Sequence, residues 1–585
     1  MLKTLYKQTE GFRLVSILTP VCMIGEVIME MIIPRLMASI IDDGVTAGNL
    51  SHIYRIGGWM IVAAIVGLCF GIGGGVLGAR ASTGFARNLR RAMYRNIQTF
   101  SFANIDKYST SGLVTRMTTD VTNIQNAYQM MLRMLIRAPA SMVIAMIMAF
   151  SINSRLASIY LVAVLALGAC LIFIMTRANR YFSHAFKKYD DLNESVEENV
   201  SAIRVVKAYV REDYEGQKFR KASANVQNLL LKAEKILSFN NPLMMGTVYT
   251  CILLISWLGA RMIVTSGATA LTTGELMSLL TYCMNILMSL MMLSMVFVMI
   301  TMSLASARRI TEVLNEKSDL DNPENPDFDI PDGSITFDHV YFNYKKGAGE
   351  PVLSDINLSI KSGETIGIIG GTGSAKTSLV NLISRLYDVT EGSVKVGGKD
   401  VRSYDMETLR NEVAVVLQKN VLFSGTILDN LRWGDKNASE EECKRVCRLA
   451  CADEFIDRMP EGYNTYIEQG GSNVSGGQKQ RLCIARALLK KPKVLILDDS
   501  TSAVDTATDA KIRKAFLTEI PETTKLIIAQ RISSVQDADR IIVMENGKVN
   551  GFGSHEELLK TNKIYREVYE SQTGGGGDFD EKRGE

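Results

Sequence analysis

The chain has 585 residues, more than one hydrophobic core accommodates, so two or more domains are expected. Hydrophobic residues make up 47% and charged residues 22%, a mixture that fits a membrane half joined to a soluble half. A net charge of +3 says nothing about nucleic acid, and with no basic stripe of interleaved aromatics no nucleic-acid partner is expected.

The N-terminal stretch Met1–Arg13 is basic and polar, and the long apolar run after it has no small-residue cleavage site. A cleaved signal peptide is therefore not expected. Six apolar segments follow, at 14–41, 56–78, 131–152, 156–175, 236–264 and 276–304. Each is long enough to cross a bilayer core of about 30 Å as a helix. The connections 42–54, 151–155 and 265–275 are short and poor in Lys and Arg. The stretches 80–129 and 177–235 are long, helical in pattern and basic. The positive-inside rule puts those two loops and both termini in the cytoplasm of a multi-pass cell-membrane protein, with helices extending beyond the lipid. Nine cysteines are scattered with no disulfide framework, and the soluble half reads as cytosolic. Cys443, Cys447 and Cys451 share a helix face without a nearby histidine, the pattern of packing cysteines rather than of a metal site.

Some residues within the spans stand out. Glu26 and Glu30 lie four apart on one face of the first helix, just before Pro34. Two readings stay open for them: a cavity-facing role in substrate or ion binding, or pairing with Arg133 or Arg137 of the third span. Gly71, Gly74, Gly75 and Gly78 have the small-xxx-small spacing of close helix packing. Met244, Met245, Met277, Met284, Met288, Met291, Met292, Met295, Met299 and Met302 enrich the last two spans, a composition that suits a promiscuous apolar cavity or a lipid-facing surface.

Residues 319–333 are acidic and carry Pro323, Pro326 and Pro331, so they read as a linker between a membrane domain at 1–318 and a soluble α/β domain at 334–572. A polar, disordered tail is expected over 573–585. Within the soluble half, the apolar run Thr365–Ile369 reads as a buried strand, and Leu379–Ile383 has helical spacing. Between them stands Gly370-Gly371-Thr372-Gly373-Ser374-Ala375-Lys376-Thr377, followed by Ser378. Strand, glycine-rich loop and helix form the context of a phosphate-binding loop, in which Lys376 reaches the outer phosphates and Thr377 ligates Mg²⁺. Ala375 departs from the pattern, which has glycine before the lysine. A second strand, Val494–Leu497, ends in Asp498-Asp499, a place for a magnesium-holding carboxylate and then a base. Upstream, Ser475-Gly476-Gly477-Gln478 opens another helix and forms a second anion-binding element. Two such loops so far apart in sequence suggest that two chains share each nucleotide.

This combination resembles the ATP-binding cassette exporters in their half-transporter form, over nearly the whole chain. The resemblance implies an all-α six-helix transmembrane domain followed by an α/β P-loop ATP-binding cassette domain, an ATPase with ATP and Mg²⁺ as cofactors. It implies that Tyr344 stacks on adenine, that Gln418 contacts Mg²⁺ and couples to the membrane helices, and that Ser475–Gln478 close on the partner's ATP. It also places Asp505 in the loop Ser502–Asp505 that communicates across the dimer, Gly470 and Gly471 near a cross-talk loop, and coupling helices near 107–113 and 208–214. Such exporters carry Glu where this chain has Asp499, and His where it has Gln530. That pattern resembles one subunit of the heterodimeric bacterial multidrug exporters, in which a weakly hydrolysing site lends its intact signature to a competent partner. Amphipathic small molecules are the expected cargo, with a lipid or peptide exporter, an active homodimer and a purely regulatory subunit as alternatives.

Overall fold

The computed structural model describes residues 1–344, 349–499 and 504–573. Ser502 and Ala503, and the expected tail from Gly574, lie outside the described residues. The chain forms two compact units, one of Met1–Gln98 with Ser109–Glu316, the other of Thr99–Tyr108 with the chain from Lys317 onward.

In the first unit six helical stretches are long and apolar enough to cross a membrane: Arg13–Val45, Leu50–Ile97, Thr110–Ile152, Ser154–Phe182, Glu212–Ser266 and Thr273–Asn315. Helices are the natural solution because each satisfies its own backbone in lipid. The second is one helix of 48 residues, Leu50–Ile97. At 1.5 Å per residue it is about 70 Å long, more than twice the lipid core. Short connections turn the chain by side-chain caps. Asn153 accepts from the N–H groups of Arg155 and Leu156 at the start of the fourth span, and Thr272 and Glu275 form a reciprocal box at the start of the sixth. At that same end Asp42, in a π-helical turn closing the first span, accepts from Thr272 Oγ1 at 2.5 Å and from the Gly274 N–H at 2.9 Å.

The glycine row of the second span packs on the first span. A Cβ at Gly74 would stand 2.2 Å from Met23 Cε, and one at Gly71 would stand 3.3 Å from the Glu26 carboxyl carbon. Gly75 faces open space, so the contact runs along Gly71, Gly74 and Gly78. The two acidic residues of the first span pair with a single guanidinium: Arg137 Nη2 lies 3.6 Å from Glu26 and 3.0 Å from Glu30. Further toward the sixth span's end, Arg309 Nε donates to the buried Asp120 at 2.7 Å, and Ser306 donates to the same carboxylate at 2.8 Å.

Among the described residues the second unit carries twelve strands: β1 (Ile335–Phe342), β2 (Leu353–Ile360), β3 (Thr365–Ile369), β4 (Glu391–Val396), β5 (Lys399–Asp400), β6 (Val413–Val416), β7 (Gly425–Thr426), β8 (Tyr466–Ile467), β9 (Val494–Asp498), β10 (Thr524–Ile528), β11 (Arg540–Glu545) and β12 (Lys548–Gly553). An antiparallel sheet runs β2-β1-β4-β5, a mixed sheet runs β12-β11-β3-β10-β9-β6, and β7 pairs with β8. Every residue of β3, β9 and β10 is buried, in keeping with their largely apolar sequences, and the exceptions are Thr365, Asp498, Thr524 and Lys525 at the strand ends. Cys443, Cys447 and Cys451 are buried in this unit's larger core with Val446, Ile456 and Leu482. No regular helix or strand occurs between Asn315 and Ile335, where a lone bridge joins Asp327 to Tyr404.

Candidate functional site

Strands β6, β9, β10 and β3 run parallel, with Val416 beside Leu497, Asp498 beside Ile528, and Ile528 beside Ile368. Their C-terminal ends therefore form one edge. Gln418 follows β6, Asp498 and Asp499 end β9, Gln530 follows β10, and Gly370 follows β3. Five sequence positions spread over about 160 residues thus meet at the carboxyl edge, where open α/β sheets bind ligands.

The loop after β3 is shaped by backbone rather than side chains. A Cβ at Gly370 (φ +156) would stand 2.3 Å from the Met544 carbonyl oxygen and 2.6 Å from Ser374 Oγ, so only glycine fits there. Gly373 (φ +82) has nothing within 4 Å of its Cβ position, leaving that side open beside the exposed Thr372. Ala375 takes the left-handed conformation (φ 71, ψ 25) and begins the helix Lys376–Ile383 without a side-chain cap. Its methyl group packs against the core under the loop, and its backbone costs about 1 kcal/mol relative to glycine. Lys376 folds back over the loop, its Nζ donating to the carbonyls of Gly370 at 2.7 Å and Gly371 at 2.9 Å.

Beside this loop, Thr377 Oγ1 donates to Asp498 Oδ1 at 3.0 Å. Asp498 is 2% exposed, and burial pushes its carboxyl above the usual range, with Asp499 adding to the shift and Thr377 and Lys376 opposing it. A buried carboxylate, an adjacent hydroxyl, an ammonium held over the loop carbonyls and a glycine-rich backbone form a set that fits a magnesium nucleotide, since a bound cation would reverse the shift of Asp498. Thr377, Asp498 and Gln418 are the residues that could hold the metal; Gln418 is exposed past the end of β6.

The two positions that depart from the exporter pattern touch each other. Gln530 Nε2 donates to Asp499 Oδ2 at 3.1 Å, and Asp499 itself adopts a left-handed backbone (φ 48). Asp tolerates that region better than most side chains because its short polar group hydrogen-bonds locally. Asp499 is also reached from the signature helix, where Gln480 Nε2 donates to its carbonyl at 3.3 Å.

Ser475 caps that helix, Gly476–Leu489, in a reciprocal box with Gln478: the Ser475 N–H donates to Gln478 Oε1 at 2.9 Å and the Gln478 N–H to Ser475 Oγ at 3.3 Å. Ser475 and Gly476 are exposed, so the positive end of the dipole opens to solvent. The turn before it holds Gly470 (φ 72) and Gly471 (φ 69). Asp505 caps the helix Thr506–Glu519 by accepting from the Thr508 N–H at 3.0 Å.

Tyr344 is half exposed and shares a hydrogen bond with Ser378 Oγ at 2.8 Å, at the base of the phosphate-loop helix. The sequence reading missed what supports it. Tyr387 packs edge-on against Tyr344 with ring centroids 5.1 Å apart, and against Phe102 at 6.0 Å. Tyr387 Oη donates to Asp106 at 2.6 Å, and burial with that carboxylate raises the phenol's pKa. Phe102 and Asp106 belong to the helical turn Phe102–Lys107, which sits in the loop between the second and third spans yet groups with the second unit. The expected segment 107–113 runs from the last residue of this turn into the helix Thr110–Thr115. In the expected segment 208–214, Tyr209 and Val210 are 73% and 80% exposed between two helices. An aromatic cluster following a phosphate-loop helix (Leu386-Tyr387) was the available signal for the first of these.

Comparison with known proteins agrees with this architecture. Residues 16–291 match the family model of the ABC transporter transmembrane region, and residues 353–502 match that of the ABC transporter. The uncharacterized ABC transporter ATP-binding protein YfiB of Bacillus subtilis (strain 168) is 36% identical over 554 residues, covering 95% of this chain and 96% of its own. An ATP-dependent lipid A-core flippase of Desulfotalea psychrophila is 33% identical over 495 residues, 84% of this chain and 85% of its own. Among solved structures, a bacterial Atm1-family ABC exporter with ATP bound superposes with a TM-score of 0.80 at 23% identity, over 96% of this chain and 99% of that one.

Proposed function

We propose a specific role for this chain within the ABC transporters, the family to which it belongs as a transport ATPase with a six-helix membrane domain and an ATP-binding domain. The role is that of the degenerate-site half of a heterodimeric exporter of amphipathic small molecules. Its own phosphate loop binds ATP with Mg²⁺ and hydrolyses it poorly, while its signature helix completes the active site of a second half-transporter.

The observation that carries this reading is the contact between Asp499 and Gln530. Bound ATP and Mg²⁺ would supply the transferable γ-phosphoryl group and the cation that neutralises it. Lys376 and the loop N–H groups bind the phosphates, and Asp498 with Thr377 holds the cation. A general base must then reach the attacking water. Asp499 is one methylene shorter than glutamate, and its carboxylate is already engaged by an amide that cannot take up a proton. Loss of a placed general base costs about 10²–10⁴-fold in rate. The capped and exposed start of the signature helix is intact by contrast, which supports a donor role toward a partner's nucleotide.

The cargo reading rests on the sixth span. Met284, Met288, Met291, Met295 and Met302 are each more than a third exposed, whereas Met244 of the fifth is buried. Flexible, polarizable side chains along an exposed face suit varied apolar cargo. A lipid cargo is favoured by one observation, the 33% identity to a lipid A-core flippase. ATPase assays decide the role: the chain purified alone should be nearly inactive, and its pair with a second half-transporter should turn over with drug stimulation. Loss of that turnover on changing the partner's Walker B glutamate completes the case. Robust turnover by this chain alone, abolished by Asp499→Asn, overturns it in favour of a homodimer. Stimulation by lipid but not by drugs would select the lipid cargo.

A further inference from the structure

At the opposite edge of the sheet from the nucleotide loop, a cavity of about 250 Å³ opens between β3, β10 and the helix Thr506–Glu519. Its walls are mainly apolar, with Phe516, Leu517 and Ile527 among them. Into it projects Lys525, a residue only 2% exposed. Among the described residues no hydrogen bond or ion pair reaches its ammonium. The Lys525 N–H donates to the Glu364 carbonyl, and Asp539, whose charge acts on Lys525, is exposed and accepts from the Thr365 N–H at 2.8 Å. Burial lowers the pKa of Lys525 and Asp539 opposes the shift. With its side chain almost wholly covered and no protein acceptor among the described residues, the ammonium is left to whatever occupies the cavity.

The surrounding polar groups are also short of partners. Thr365 Oγ1, Arg513 Nε and Asp509 Oδ1 are buried without hydrogen bonds among the described residues. Arg513 spans Asp509 at 3.3 Å and Asp537 at 3.1 Å, and Lys514 stands on the same wall. The carboxylates of Asp509, Asp537 and Asp539 match the three cations in number, but Arg513 is ion-paired and Lys514 is exposed to solvent, so Lys525 is the little-exposed cation without an acceptor among the described residues. An anionic acceptor in the cavity would answer Lys525. A carboxylate offers two oxygens, one for Lys525 Nζ and one for the Thr365 hydroxyl, and the apolar walls want an apolar body behind it. The volume is roughly that of eight waters, the size of a small aromatic or short aliphatic acid and too small for a nucleotide.

We propose that this cavity is a binding site for a small organic carboxylate, held by Lys525, and that its occupancy is felt at the nucleotide edge. The second half follows from the walls. The helix Thr506–Glu519 begins at Asp505, and β10 leads directly to Gln530 before the turn Ile532–Ser534 closes the cavity. A ligand wedged between helix and strand bears on two elements that end beside the ATP.

The test uses the full chain in lipid nanodiscs without ATP turnover, so it is independent of the degenerate-site reading. Benzoate is titrated calorimetrically against benzyl alcohol, its neutral counterpart, and against inorganic phosphate. Saturable benzoate binding at least tenfold tighter than benzyl alcohol is expected, weakened at least tenfold by Lys525→Met and abolished by Ala538→Phe, which fills the cavity from the other wall. Saturating benzoate is expected to change ATP affinity by about fivefold or more in the unmodified chain and not in either variant. Equal binding of benzoate and benzyl alcohol, tighter binding of phosphate, or benzoate binding unchanged in both variants overturns the site. Unchanged ATP affinity at benzoate saturation overturns its link to the nucleotide edge.

Discussion

Two helix starts in the ATP-binding unit present backbone N–H groups to anions, and they are finished in opposite ways. The phosphate-loop helix begins at an uncapped alanine in a left-handed turn, and its charged neighbours are satisfied internally: Lys376 on the carbonyls of Gly370 and Gly371, Thr377 on Asp498, Gln530 on Asp499. The signature helix begins at a fully capped serine whose next residue is exposed. At the first, the side chains proposed to bind phosphate and metal lie together, and the two proposed to handle the proton hydrogen-bond each other. The second is a donor with its face open. On the proposed reading, the difference separates binding from hydrolysis within one chain: phosphate binding needs backbone geometry, and hydrolysis needs a base placed on the attacking water.

That contrast can be broken from either end. The largest effect is expected at the signature helix: Gly476→Asp puts a negative charge at the positive dipole end and should lower turnover of the assembled pair by about 100-fold or more, the scale of losing an oxyanion donor. Next, Asp499→Glu combined with Gln530→His should raise hydrolysis at this chain's own site by about 10²-fold, read with the partner's site inactivated. Lys376→Ala should weaken ATP binding to this chain by about tenfold or somewhat more, the value of charged hydrogen bonds, with little change in turnover at the partner's site. Ala375→Gly sharpens the comparison from below. Relief of the left-handed backbone should stabilise the unit by about 0.5 kcal/mol in thermal unfolding, since the gain of about 1 kcal/mol is offset by the freer unfolded chain. Tyr387→Phe should cost a similarly small ~1 kcal/mol, visible mainly as weaker substrate stimulation of the ATPase, because only the bond to Asp106 is removed.

Much of this was legible in the sequence where a local pattern has a local cause. Gly370–Thr377 needs the strand before it and the helix after it, and all three are adjacent in the chain. The six spans follow from length and apolarity alone. What the residues did not reveal is long-range. Glu26 and Glu30 left two readings open because nothing in their spacing says that Arg137, over a hundred positions away, stands between them. The contact of Asp499 with Gln530 depends on β9 and β10 being neighbours in the sheet, a matter of topology that periodicity does not carry. The turn Phe102–Lys107 and its contact with Tyr387 are not legible because a helical turn of six residues leaves almost no periodic signal, and Tyr387 is nearly three hundred residues downstream. The left-handed turn at Ala375, by contrast, follows from the motif position where glycine is expected.

The most direct test of the separation of binding from hydrolysis is the state of the nucleotide held by this chain after turnover. Crosslinking of an azido-ATP analogue to the assembled pair under cycling conditions, followed by mass spectrometry of each subunit, reads it. The account predicts intact triphosphate on the peptide around Tyr344 of this chain and diphosphate on the partner. Diphosphate on this chain at the partner's level would contradict it.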